Sequence, residues 1–282
     1  MASQPESVWT TRPPRLHLRL WSQDRGRLPV LLVHGRGGNT HWWDKVCPGL
    51  GPLAIAALDF HGHGESDWLD EGHYDEALFV RNIEAAREFL NWPRFILAGH
   101  SMGARIALEY ASLHPASLEA LIAVDFLPEF SDLSKERFEK RRRRLRQPYY
   151  SDPDAMAARF ALYPSATTLS TQELKELGRL CLKETAQGIT WKFDWQLFNF
   201  RYTPIWKALK SITVPTLLVR GQNSTVMSRE DLEQARKALS RCETAEIASA
   251  FHHVPLDAPR ALSEAMLGFL ERNLPALTGK GK

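Results

Sequence analysis

Short apolar runs recur along the chain. PVLLVHG (29–35), LAIAALDF (53–60), RFILAGH (94–100), LEALIAVDF (118–126) and VPTLLVRG (214–221) are continuous rather than alternating, the pattern of strands buried on both faces in a parallel sheet. RLHLRLW (15–21) alternates polar and apolar positions instead, as a half-exposed strand does. Between the runs the period changes to that of a helix, at Leu78, Val80, Ile83, Ala86 and Leu90. Ile106, Ala107, Tyr110 and Ala111 follow before His114-Pro115 stops the next helix. Further helices are predicted over 229–240 and 258–273, with a weak strand, TAEIAS (244–249), between them. Strands alternating with helices predict an α/β fold with a mostly parallel sheet flanked by helices.

That alternation stops between 127 and 211. No central strand can be read there, and helical segments around 132–146, 153–162 and 171–184 follow one another. The expectation is a core made of 1–126 and 212–282, with 127–211 inserted into it as a helical cap.

Composition narrows the classes. A length of 282 residues with 44% hydrophobic positions fits one large core with an insertion. A net charge of +3 gives no ground for a nucleic-acid or membrane partner. KRRRRLR (140–146) is the exception, but Glu136 and Glu139 precede it and no second basic cluster accompanies it, so it reads as a solvated helix face. Cys47, Cys181 and Cys242 are widely spaced and odd in number, which predicts free thiols and no zinc site. No run reaches the length of a membrane span or a signal peptide, so a cytoplasmic location is expected.

Two short segments carry candidate chemistry. GHSMG (99–103) lies between the apolar run FILA and the helical MGARIALEYA, the strand-turn-helix setting of a G-x-S-x-G nucleophile elbow. Ser101 is therefore the candidate nucleophile, with Gly99 and Gly103 allowing strand and helix to approach closely. HGRGGN (34–39) follows a strand with neither dinucleotide nor P-loop spacing. Its backbone suits an oxyanion hole, with the N–H groups of Arg36 and Met102 as donors. His34 and His100 read as packing and hydrogen-bonding residues.

HGRGGN, DFHGHGES (59–66), GHSMG, IAVDFLP (122–128) and HHVPLDAP (252–259) occur in this order, and together they resemble the α/β-hydrolase superfamily, in particular small bacterial esterase-like members with a helical cap. DFHGHGES is similar to the family's D-x-R-G-x-G-x-S loop, with His61 at the arginine position in a structural role. FHHVPLDAP offers two histidines, and the resemblance to the family's G-H-x-x-x-x-x-x-P pattern aligns His252, seven residues before Pro259, with the catalytic base. Phe251 stands where the family has glycine.

The acid is less direct. The family's commoner acid position, three residues past Gly221, holds Ser224, which carries no charge to stabilise an imidazolium. Asp125 ends the preceding strand, where some α/β-hydrolases place their acid, and it is a carboxylate in an otherwise apolar run that needs a partner if buried. Asp125 is expected to orient His252, with Ser224 a bystander. Glu230 and Asp231 fit the first turn of a helix, where acids are common anyway.

The cap is rich in aromatic residues, among them Trp191, Phe193 and Trp195, and Trp42 and Trp43 follow the glycine loop. These five are the candidate pocket lining, for a small apolar or aromatic acyl substrate. The resemblance implies a cofactor-free serine hydrolase acting on esters, with thioester, lactone and carbon–carbon cleavage open to the same apparatus. A ligand receptor of the same fold with little turnover is the non-enzymatic alternative.

Overall fold

Each apolar run forms a strand of one sheet. The structure is a computed structural model that describes residues 4–21, 26–70, 73–129, 146–199 and 202–274. The sheet's strands are β1 (Glu6–Trp9), β2 (His17–Leu20), β3 (Pro29–Val33), β4 (Ala54–Asp59), β5 (Phe95–His100), β6 (Leu118–Val124), β9 (Thr216–Gly221) and β10 (Cys242–Ile247), and a separate hairpin supplies β7 (Leu182–Thr185) and β8 (Gly188–Trp191). The eight-stranded sheet has the order β1-β2-β4-β3-β5-β6-β9-β10. From β4 to β10 neighbouring strands are parallel, whereas β1 and β2 add an antiparallel edge. The edge strand β1 is too short and too exposed to have left an apolar pattern in the sequence.

Strand periodicity divides the central residues between two faces. Leu31, Val33, Ala56, Leu58, Leu97 and Ala123 join one apolar cluster. Val30, Leu32, Ile55, Ala57, Ile96, Ala98, Ile122 and Val124 join the other. Helices α1 (Glu76–Phe89) and α2 (Met102–Leu113) cover the first face through Phe79, Ile83, Ile106 and Tyr110. The last helix, Pro259–Asn273, covers the second through Leu262, Met266 and Phe269. Burial on both faces is why these strands read as unbroken apolar runs.

Between β6 and β9 the described residues are not purely helical. Helices occupy Pro153–Ala157 and Thr171–Leu180, both shorter than the sequence pattern suggests, and β7 pairs with β8 as an antiparallel hairpin. The helix expected to reach residue 184 ends at Leu180, because Thr185 and Gly188 (φ 121°) close a tight turn that commits the flanking residues to the hairpin. The segment 132–146, read as helical, lies outside the described residues save for Arg146. Among the described residues no helix is long and apolar enough to cross a membrane.

This segment is fastened to the rest at defined points. The buried Arg105 of α2 donates to the carbonyls of Leu127 (2.5 Å) and Pro128 (2.7 Å) where the chain leaves the sheet, and to that of Thr203 where it returns. Asp194 N–H donates to the Gly62 carbonyl (2.8 Å) and Gly64 N–H to that of Lys192 (2.9 Å), joining the end of the hairpin to the loop after β4. That loop is organised by Asp59, buried at the end of β4, which accepts from His17, Thr40 N–H and Glu65 N–H. Burial pushes the Asp59 carboxyl up, but the hydrogen bond and charge of His17, with the charge of His34 and the Glu65 N–H, together hold the group below its ordinary value.

Burial also pushes His34, His61, His63 and His100 down, and takes His253 down to about 4. Each binds a proton less readily in the folded protein than in the unfolded chain, which takes one up below about pH 6.5. Their stabilising contribution is complete above that value and is lost as the pH falls through it. Urea unfolding is therefore expected to show stability dropping between about pH 6.5 and 4, by up to about 1.4 kcal/mol per pH unit per histidine. Equal midpoints at about pH 7 and pH 5 would contradict this.

Candidate active site

The carboxyl ends of β3, β5, β6 and β9 lie side by side, and each contributes to one cluster. After β5 the chain turns at Ser101, whose φ of 55° is a left-handed conformation that an L side chain rarely adopts. Two glycines make the turn possible. A Cβ on Gly99 would collide with the Gly103 carbonyl, and one on Gly103 would collide with that of His34. The strand, the helix and the end of β3 thus meet backbone to backbone, with Ser101 at the start of α2, partly exposed.

Asp125 also sits at positive φ (43°), just past the end of β6, and is completely buried. Its N–H donates to the Val219 carbonyl of β9 (2.8 Å). Its Oδ2 accepts the N–H of Gly221 at 2.8 Å, and its Oδ1 accepts from both His252 Nδ1 (2.8 Å) and Ser224 Oγ (2.7 Å). A carboxylate only accepts, so Nδ1 of His252 carries the ring proton and Nε2 is left as an acceptor. Nε2 lies 3.0 Å from Ser101 Oγ, which donates to it. The structure therefore brings Ser101, His252 and Asp125 into one hydrogen-bonded line.

The loop that carries His252 is held on several sides. His100 Nε2 donates to the His252 carbonyl at 2.9 Å. Asp257 Oδ2 accepts the N–H of Phe251 at 2.9 Å, while its Oδ1 accepts from Thr167 Oγ1 and Thr168 N–H, tying the loop to the inserted segment. His253 points away from Ser101, its Nε2 donating to the carbonyl of Pro164 at 2.9 Å. Phe251, where the resembled pattern has glycine, places its carbonyl against Gly221 so tightly that any Cβ there would collide with it, and the close approach depends on Gly221.

Beside Ser101 lies the glycine loop. Gly38 N–H donates to the Gly35 carbonyl at 3.0 Å, and Gly37 takes a φ of 74°. A Cβ on Gly35 would fall 3.1 Å from Ser101 Cβ, so the residue before Arg36 abuts the turn at Ser101. Met102 begins α2 directly after Ser101. His34 is structural: its Nδ1 donates to the Gly35 carbonyl (2.7 Å) and its Nε2 accepts the N–H of Phe60 (3.2 Å).

The candidate pocket residues separate. Trp43 is completely buried within the second-face core, so no part of its ring is left for a substrate and the pocket assignment is corrected there. Trp42, 4% exposed, packs under Gly38 and meets Phe160 edge-on at 6.3 Å, and Phe160 meets Trp191 at 5.7 Å. Phe193 packs between His63 and Phe198, and Trp195 against Phe198, both in the apolar cluster covered by α1 and α2. Among the described residues the nearest approach to a metal-ligand set is His100, His252 and His253, whose nitrogens spread over up to 4.8 Å. One zinc ion bonds nitrogen at about 2.1 Å, so its ligands lie at most about 4.2 Å apart. This cluster is not a preformed cage.

Ser224, expected to be a bystander, joins the cluster, and so does Asp257, which was not among the candidate residues. The first had a signal, its place three residues past Gly221, whereas nothing local marks Asp257.

The profile of the alpha/beta hydrolase fold matches residues 29–259, and the chain belongs to that family. An esterase of Mycobacterium tuberculosis is 25% identical over 248 residues, 86% of this chain and 82% of that protein. A serine hydrolase-like protein of Danio rerio is 30% identical over 168 residues, 49% of this chain and 51% of the relative. Among solved structures, the thioesterase domain from the curacin biosynthetic pathway superposes with a TM-score of 0.79 over 94% of this chain and 100% of that one, at 24% identity, a likeness of fold.

Gly221 is the position where this geometry is least tolerant. Gly221→Ala would drive a methyl into the Phe251 carbonyl and is expected to destabilise the protein by about 1–3 kcal/mol, read as a lowered thermal midpoint. An unchanged midpoint would mean that the histidine loop does not press on β9.

Proposed function

We propose that this protein is a serine hydrolase that cleaves an apolar or aromatic ester-type acyl substrate through Ser101, His252 and Asp125. The observation that carries the reading is the hydrogen-bonded line from Ser101 Oγ through both nitrogens of His252 to the buried Asp125 carboxylate. In this mechanism His252 Nε2 takes the Ser101 proton as Oγ attacks the acyl carbonyl. The imidazolium that forms is stabilised by Asp125, which stays ionised. The carbonyl oxygen becomes an anion and is met by the N–H groups of Met102 and Arg36. His252 then gives its proton to the leaving alcohol, and water attacks the acyl-enzyme with His252 again as the base.

Residues 127–211 act in this reading as a cap over the carboxyl end of the sheet. The aromatic contacts from Trp42 through Phe160 to Trp191 start under the glycine loop beside Ser101 and support an apolar acyl group. The name of the mycobacterial relative, an esterase, supports ester chemistry, that of the Danio rerio relative supports a serine hydrolase, and the same acyl-enzyme route serves thioesters.

The test is turnover of a p-nitrophenyl ester series of increasing acyl length. Wild type is expected to hydrolyse it, Ser101→Ala to fall to background, and Asp125→Asn to lose roughly four orders of magnitude in kcat. Wild-type turnover in Asp125→Asn would refute the assignment of the acid.

A further inference from the structure

Ser224 is a buried polar group that the mechanism above does not use. It follows the end of β9 and is 8% exposed. Its hydroxyl donates to the same Asp125 oxygen, Oδ1, that receives the His252 Nδ1 proton. A hydroxyl has one proton to give and two lone pairs to offer. Here the N–H groups of Val226 (3.1 Å) and Met227 (3.3 Å) point at the acceptor side of Oγ. The proton is thereby left directed at Asp125.

The turn that presents this hydroxyl is itself fixed. Ser224 N–H donates to the Gly221 carbonyl at 2.9 Å, and the buried Arg220 donates to the carbonyls of Ser224 (3.2 Å), Gln222 (3.0 Å) and Met227 (2.7 Å). Arg220 is in turn paired with Glu246 at 2.7 Å. The Asp125 carboxylate is therefore held at Oδ2 by the Gly221 N–H and at Oδ1 by Ser224, from one rigid turn. Hydrogen bonds at both oxygens oppose rotation of the carboxylate plane and keep Oδ1 toward the imidazole.

We infer that Ser224 is a positioning residue that orients Asp125 toward His252, an inference that rests on the triad reading above. It reverses the expectation that a serine at this place is a bystander. The chain keeps the strand-end position in use by placing there a neutral donor to the acid of the neighbouring strand. What the position requires is a hydroxyl, so threonine should serve and alanine should not.

The experiment compares Ser224→Ala and Ser224→Thr with wild type in p-nitrophenyl butyrate kinetics, thermal unfolding and proton NMR of the low-field His252 Nδ1–H resonance. Alanine is expected to lower kcat roughly tenfold, the worth of one hydrogen bond to a charged group, with KM unchanged. It should also move the low-field resonance, while threonine restores both. Wild-type kcat and an unmoved resonance in a folded Ser224→Ala would overturn the inference, and so would a folded threonine variant that behaves as alanine does. If threonine does not fit, the resonance in Ser224→Ala decides alone. A wild type inert toward the ester would instead count against the triad reading, while the resonance would still report whether Ser224 sets Asp125.

Discussion

A fully buried carboxylate at the end of a central strand is costly unless every lone pair that matters is met. Asp125 meets this condition through groups from two other places in the chain: the Gly221 N–H and Ser224 hydroxyl at and after the end of β9, and the His252 ring after β10. The requirement fixes more than one side chain. It sets how closely β9 and the histidine loop approach β6, and through His252 it fixes the distance to Ser101. Removing one partner would leave the buried charge one donor short, so the partners depend on one another.

The backbone meets the same demand. Ser101 and Asp125 both take left-handed conformations at adjacent strand ends, and such residues persist where the surroundings over-determine them. Around Ser101 this is done by backbone contact across Gly99 and Gly103. Around Asp125 it is done by the hydrogen bond of its N–H to Val219 and by its own side-chain partners. The inserted segment is joined to the same apparatus, since Asp257 bonds both Phe251 and the Thr167–Thr168 turn. The loop that carries His252 is in this way tied to the segment between β6 and β9.

Much of this was legible in the chain. Unbroken runs such as PVLLV and LEALIAV announce strands buried on both faces, and GHSMG between a strand and a helix announces the turn at Ser101. Asp125 stood out because a lone carboxylate in LIAVDFL needs a partner. The partners themselves were less legible, because hydrogen bonds between residues 96 to 127 positions apart leave no local pattern. The hairpin of β7 and β8 was missed for a different reason: its strands are half-exposed, so neither carries a continuous apolar run. Trp43 shows the limit of composition, since an aromatic next to a candidate site is as apt to be core as lining.

Ser101 is expected to be a reactive nucleophile because of the partners of His252. Intact mass followed by peptide mapping after exposure to a small fluorophosphonate tests this most directly, because the reagent needs an activated serine and no knowledge of the natural substrate. One adduct, on Ser101, is expected in the folded protein. A folded protein that takes no adduct, or takes it on another residue, would contradict it.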